Sequence, residues 1–293
     1  MSGKKIWTVL EMIKWGTDYL TEKGFDEARL NIELLLSTTL GMKRFDLYVK
    51  HDQPLKKDEL ERFKALLKRR LAHEPVQYIL GKTNFYSIEM KTDRRALIPR
   101  PETETLVETV IEHCRTRLSQ KDNLNILDIG TGSGCIDVAL AKFLTNSRIT
   151  SLDKSKDALG LAHENAKLTG TEERIEFVEV DFLTITENVF NRRFDIIVSN
   201  PPYVCESAFK TLDADIKEFE PLDALSDGAD GLTFFKKISQ MSRVFLNQEG
   251  WVFVETSFDQ TKDVKKIFIE AGGQEVQTRK DLSNIDRVVS ARF

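Results

Sequence analysis

The sequence predicts an α/β protein in which residues 85–293 form a doubly wound, mostly parallel sheet and residues 1–84 a small helical bundle. Three observations carry that expectation. The first 84 residues place apolar side chains at helical spacing and show no strand pattern. From Asn125 onward, short apolar runs alternate with helical patterns to the C-terminus, as repeated βα units do. Between one such strand and the following helix stands a glycine loop, Gly130-Thr131-Gly132-Ser133-Gly134, where sheets of this kind bind ligands.

Composition bounds the rest. At 293 residues the chain is long for one compact domain, and 41% hydrophobic with 31% charged residues describes a globular protein. No apolar run approaches the roughly 18 residues needed to span a bilayer, so no membrane contact is expected. The N-terminus, Met-Ser-Gly-Lys-Lys-Ile-Trp, lacks the apolar core of a signal peptide. Cys114, Cys135 and Cys205 form no CxxC pair and read as reduced thiols, so a cytoplasmic location is expected. His51, His73, His113 and His163 are scattered without ligand spacing, and no metal site is expected. A net charge of −4 argues against a surface that coats nucleic acid.

The elements follow in chain order. Ile6, Val9, Leu10, Ile13 and Tyr19-Leu20 recur on one helical face, and Gly24 ends the run. Asp26 is the expected cap of a second helix, which closes near Gly41; after Pro54 a third runs from about Lys56 to Ala72. The head (1–84) carries 16 Lys+Arg against 12 Asp+Glu, net +4, and the remainder is net −8. A mildly basic bundle beside an acidic domain is either a partner-binding module or a solvated cap. Phe85–Lys91 and Ala96–Ile98 read as a connecting hairpin, about 85–98, around the polar turn 92–95. Thr103 or a neighbour opens a helix with Leu106, Val107, Val110 and Ile111 on its apolar face. Strands are expected at 126–129, 148–152, 175–180, 194–199 and 251–255. Helices are expected at 135–144, 156–168, 232–246 and 261–271, and a closing strand pair at 274–278 and 287–291.

Chemistry concentrates at strand ends. The glycine spacing is GxGxG, not GxGxxG, and no Gly-Lys-Ser/Thr follows, which rules out a P-loop. Nineteen residues after Gly134 stands Asp153, at a strand tip where an acid accepts both hydroxyls of a ribose. Glycine loop and ribose acid without phosphate chemistry point to an adenosine ligand lacking phosphates, S-adenosylmethionine. After the run Phe194–Ser199 comes Asn200-Pro201-Pro202-Tyr203. Two prolines supply no backbone N–H, so the turn offers carbonyl oxygens, the Asn200 side-chain oxygen and a flat Tyr203 ring. Such a turn suits a planar –NH2 group.

These stretches resemble the HemK/PrmC family of release-factor glutamine methyltransferases. The matching segments are Glu74-Pro-Val-Gln-Tyr-Ile-Leu-Gly81, Leu97-Ile-Pro-Arg-Pro-Glu-Thr-Glu104, Asp128–Gly134, Asn200–Tyr203 and Asp227-Gly-Ala-Asp-Gly-Leu232. The resemblance implies a Rossmann-like fold of the class I S-adenosylmethionine-dependent methyltransferases, with the head serving substrate recognition. It implies methylation of the glutamine amide in the Gly-Gly-Gln motif of class I peptide-chain release factors. Gly130, Thr131, Gly132, Ser133, Gly134 and Asp153 would bind the methyl donor together with Asn200, and Phe182 would pack on its adenine, while Asn200, Pro201, Pro202 and Tyr203 would hold the glutamine. Ser87, Asp137 and Ser257 depart from the family pattern. Two rivals stand beside this reading: an adenine-N6 DNA or RNA methyltransferase, whose target amino group is also planar, and a non-catalytic scaffold that binds the same donor.

Overall fold

The computed structural model describes residues 6–209 and 214–293, so the first residues of the stretch read for a signal peptide lie outside it. The chain divides into two compact units, Met1–Gly81 and Lys82–Phe293.

The first unit is helical. In α1 (Val9–Glu22) the Thr8 hydroxyl accepts from the Glu11 N–H, and the Glu11 carboxylate accepts from the Thr8 N–H at 2.9 Å, a reciprocal cap. α2 (Ala28–Leu40) ends on Gly41 in the left-handed region. Asp26 does not cap it. Glu27 occupies the cap position at φ 49° and makes no side-chain cap bond. α4 (Lys57–Leu71) matches the third expected helix, while α3 (Arg44–Val49) and α5 (Val76–Leu80) were too short to show a period. Leu20, Ile32, Leu35, Leu36 and Leu47 are fully buried at its centre.

The second unit opens with an antiparallel hairpin, β1 (Lys82–Phe85) with β2 (Ile88–Lys91). Its turn is Tyr86-Ser87, with φ 49° and 62°, the doubly positive φ that suits a two-residue hairpin. The expected strand at Ala96–Ile98 does not form. Ala96 and Ile98 are buried around a half-buried Leu97, which mimics a strand's alternation, but the Ile98 N–H goes to the Glu220 carboxylate at 3.2 Å.

The remaining elements run in βα alternation. α6 (Thr103–Arg117) leads to β3 (Leu124–Ile129), α7 (Cys135–Phe143), β4 (Ser147–Asp153), α8 (Lys156–Thr169) and β5 (Ile175–Glu179). β6 (Phe194–Ser199) follows, then, among the described residues, the short helices α9 (Glu206–Phe209), α10 (Ala214–Phe219) and α11 (Leu222–Leu225). α12 (Thr233–Phe245), β7 (Leu246–Glu255), α13 (Thr261–Glu270), β8 (Gln274–Lys280) and β9 (Asp286–Arg292) complete the chain. β7 starts earlier than its expected boundary at Trp251, and the closing pair is antiparallel.

The seven-stranded sheet has the order β5-β4-β3-β6-β7-β9-β8, parallel from β5 to β7 and antiparallel beyond. Both faces are covered. On β3, Ile126 joins the core under α6 and α7, while Leu127 and Ile129 join the core that includes Phe235 and Phe268. The chain winds outward from β3 to β5, then returns to β6 on the other side of β3. That reversal opens a crevice at the carboxyl ends of β3 and β6, between the glycine loop and Asn200.

Ser87 is the one departure from the family pattern that carries backbone strain, because a left-handed conformation disfavours any side chain. Ser87→Gly is expected to raise the unfolding free energy by about 0.5–1 kcal/mol, less than the full left-handed penalty because glycine loses more entropy on folding. Urea denaturation measures it, and an equal or lower midpoint would show that the turn is unstrained.

Candidate active site

A cavity of about 450 Å³ occupies the crevice, within the range of small-molecule sites. Gly130, Thr131, Gly132 and Ser133 line one wall, with Asp153 from the tip of β4 and Phe182 beyond β5. Asn200 and Pro202, following β6, line it as well, and so do Arg100 and Thr103. Gly134, Pro201 and Tyr203 do not. A Cβ on Gly134 would stand 2.9 Å from the Ala162 Cβ, so that glycine serves the close approach of α8. Tyr203 packs toward the core and its hydroxyl donates to Glu255 Oε1 at 3.3 Å, so the stacking expected of its ring is not carried by this geometry.

The glycine loop is held from below. Gly130 and Thr131 donate their N–H groups to the Leu152 carbonyl at 2.8 and 3.0 Å. Gly132 donates to Asp153 Oδ2 at 2.9 Å, and the Ser155 N–H donates to Asp153 Oδ1 at 2.8 Å. Gly130 and Gly132 both have positive φ, and a Cβ on either would meet no atom within 4 Å. Their open sides face space that a ligand can fill, while each Asp153 oxygen keeps acceptor capacity beyond its one backbone partner. The apolar side chains of Leu152, Val180 and Phe182 line the same space. These residues fit the adenosine portion of S-adenosylmethionine. Burial pushes the Asp153 carboxyl above its ordinary range, against the Ser155, Gly132 and Lys154 N–H groups and the Lys154 charge, which favour the charged form.

Beneath the loop lies a carboxyl pair: Asp128, from the matching segment Asp128–Gly134, and Asp137, noted in the sequence only as a departure. Asp128 and Asp137 are fully buried, and the Thr131 hydroxyl donates to Asp137 Oδ2. Burial pushes Asp128 well up, with the neighbouring Asp137 adding to it, and burial pushes Asp137 up to about 6. Two like charges cannot both ionise cheaply in this space.

At the other wall the Asn200 Nδ2 donates to Thr103 Oγ1 at 3.0 Å, which leaves Asn200 Oδ1 as a free acceptor. Thr103 is buried at the first turn of α6, and Glu255 is buried at the end of β7. Burial pushes Glu255 up to about 7, opposed by the Thr103 and Tyr203 hydroxyls. Neither residue was expected in the site. Both fall in segments already singled out, Thr103 inside Ile98–Glu104 and Glu255 beside Ser257, but a strand end and a helix start share no sequence pattern. Ser257 itself has no left-handed backbone, so its position makes no demand for glycine. The Arg100 guanidinium reaches Glu220 Oε1 at 2.6 Å, the residue that also takes the Ile98 N–H, and so ties the segment before α6 to the turn before α11.

Residues 11–81 match the PrmC N-terminal domain and residues 120–272 a methyltransferase domain. A release factor glutamine methyltransferase of Chlorobaculum tepidum is 39% identical over 99% of this chain and 99% of its own length. The chain belongs to the release factor glutamine methyltransferase family. A second relative of that name, from Geobacter sulfurreducens, is 38% identical over 99% of this chain and 98% of its own. The catalytic domain of hMettl16, solved with an RNA hairpin, superimposes with a TM-score of 0.54 at 16% identity, covering 82% of this chain and 84% of that one. At that identity the likeness is one of fold. The doubly wound sheet expected from the βα alternation and the class I methyltransferase architecture implied by the resemblance are thereby established, as is a family with S-adenosylmethionine as methyl donor. Among the described residues no helix is long and apolar enough to cross a membrane.

The carboxyl pair generates a prediction with a definite sign. Asp137 has a raised pKa in the folded protein, so its protonated form contributes stability that is lost as pH rises through about 6. Asp137→Asn is therefore expected to be more stable than the parent at pH 8, with the difference shrinking by pH 5. Urea denaturation at the two pH values reads it; an unchanged difference would show that the folded protein does not hold the Asp137 pKa above its unfolded value.

Proposed function

We propose that this chain transfers a methyl group from S-adenosylmethionine to the side-chain amide nitrogen of the glutamine in the Gly-Gly-Gln loop of class I peptide-chain release factors. The observation that carries this reading is the Asn200 amide, tied through its nitrogen to Thr103 at the wall of the cavity that the glycine loop also lines. An amide nitrogen is a poor nucleophile because its lone pair is delocalised into the carbonyl. The donor supplies, when bound, a strongly electrophilic sulfonium methyl. Alignment is then the protein's main task, and effective molarity contributes on the order of 7–11 kcal/mol in well-oriented systems.

Asn200 Oδ1 would accept one proton of the glutamine –NH2, and the Pro201 carbonyl, between two residues that line the cavity, would accept the other. Both oxygens would also stabilise the positive charge that develops on nitrogen. Gly130, Thr131, Gly132 and Ser133 would form the backbone wall for the donor. Asp153 would receive two ribose hydroxyls, and Phe182 would pack on the adenine. An adenine amino group would need the same acceptors, but full-length similarity to release factor glutamine methyltransferases favours the amide.

Asn200→Ala is expected to keep donor affinity and lose about 10²–10³ in kcat, the usual effect of removing one such electrostatic contact. Asp153→Ala is expected to do the reverse, weakening the donor by two charge-assisted bonds of roughly 1.5–3 kcal/mol each. Isothermal titration with the donor and labelled methyl transfer to release factor separate the two effects. Near-parental turnover in Asn200→Ala would sink this reading.

A pocket that recognises only an amide cannot choose its protein, so selectivity requires a second contact. The helical unit, net +4 over residues 1–84, is the proposed surface. Lys57 and Lys64 of α4 are exposed, and reversing both charges is expected to raise KM for whole release factor while sparing a short Gly-Gly-Gln peptide. Equal effects on both substrates, or none, would leave this unit a structural cap.

A further inference from the structure

We propose that Glu255 and Thr103 are positioning residues that decide which end of the Asn200 amide faces the cavity. This inference rests on the reading of Asn200 as the acceptor for the substrate amide. The two ends of an asparagine amide have nearly the same shape, so packing alone does not choose between them; hydrogen-bond partners do. The partner here is Thr103 Oγ1, 3.0 Å from Asn200 Nδ2. A threonine hydroxyl carries one proton. If it points that proton at Asn200, the amide must turn its oxygen inward and present –NH2 to the cavity, where a glutamine –NH2 would meet donors instead of an acceptor.

Glu255 removes that option. It is 1% exposed, and an ionised carboxylate accepts only. The Tyr203 hydroxyl donates to Oε1 at 3.3 Å. The Thr103 hydroxyl also favours the charged form of this carboxylate, and no hydrogen bond reaches Oε2, which leaves it open to that hydroxyl's proton. The Thr103 proton is thus drawn to Glu255, its lone pair faces Asn200 Nδ2, and Asn200 Oδ1 is left to the cavity. Polarity passes in one direction, from carboxylate to hydroxyl to amide.

The charged and titratable groups around Glu255 set when this holds. Arg287, paired with Asp281 at 2.9 Å, favours the carboxylate, and Glu102 opposes it. Cys135 feels the Glu255 charge from the start of α7, and Arg100 acts on Tyr203. With burial dominant, Glu255 is pushed up to about 7. A protonated Glu255 can donate to Thr103 and release its proton toward Asn200. The acceptor arrangement is therefore lost as pH falls through 7 and regained as it rises.

The test measures kcat and KM for methylation of a Gly-Gly-Gln peptide between pH 5.5 and 8.5 at saturating donor. The parent protein is expected to lose about tenfold in kcat per pH unit below 7, as for a single titrating group. Glu255→Gln is expected to be at least about tenfold slower at pH 8 and flat with pH, because a glutamine side chain can donate as well as accept. Thr103→Val, close to threonine in volume, is expected to lose the rate too, and Thr103→Ser to recover it by restoring the hydroxyl. Donor affinity by titration should be unchanged in all three. A parental pH profile in Glu255→Gln, or a parental rate in Thr103→Val, would overturn the proposal. Should Asn200→Ala be inactive while Glu255→Gln keeps the parental profile, the relay fails and the acceptor role of Asn200 stands. Should Asn200→Ala itself turn over normally, the reading of the site fails first.

Discussion

The pairing of β3 with β6 is the constraint on which the site depends. Ile126, Leu127 and Asp128 pair in parallel with Ile196, Ile197 and Val198, although β4, β5 and their helices intervene in the chain. Both strands are buried almost throughout, so the register is held by side chains packed above and below the sheet. Because the strands are parallel and adjacent, the loops that follow them emerge side by side at one edge. The glycine loop and the turn after β6 thus come together without any direct hydrogen bond between them.

Each loop is then set by partners from a third place. The Asp153 carboxylate bridges the Gly132 and Ser155 N–H groups, so the acid proposed for the ribose also shapes the loop opposite it. Asn165 does similar work on the hairpin side. Its side chain is fully buried, accepts the Lys91 N–H at 2.7 Å, and donates to the Ser133 carbonyl at 2.9 Å. These are buried polar contacts with satisfied partners, and they hold the loop without filling the cavity. The Asp128–Asp137 pair is the costly exception, since three of its four oxygens have no hydrogen-bond partner. Its position under the loop places two buried carboxyl groups against the backbone that carries the glycines.

The turn after β6 shows the same division of labour. Asn200 and Pro202 reach the cavity, while Tyr203 reaches back to Glu255 and the Tyr203 carbonyl accepts from Gln260 Nε2 at 2.9 Å. Gly231 comes so close to that carbonyl that a Cβ there would stand 2.3 Å away, which accounts for a glycine within Asp227–Leu232. Asp227 caps the same loop by accepting from the Gly231 and Thr233 N–H groups. The segment is a brace for the turn.

The amino-acid sequence by itself determined the βα alternation, the parallel core strands, the glycine loop and the identity of Asp153 and Asn200 as strand-tip residues. Each of these is a local pattern, governed by a period of two or 3.6 residues or by a turn's backbone demands. Local patterns misled where other partners took the backbone, as at Ala96–Ile98, where a distant carboxylate replaced a strand neighbour, and at Asp26, where no cap bond forms. Short helices such as α3 were hidden because six residues do not establish a period. Only the tertiary structure decided that Gly134 serves packing, that Tyr203 turns away from the cavity toward Glu255, and that Thr103 meets the Asn200 amide. Asn200 and Thr103 are 97 residues apart in the chain, and Tyr203 and Glu255 52. Which atom of an amide meets a cavity depends on donors and acceptors brought from those distances, and no spacing along the chain encodes it.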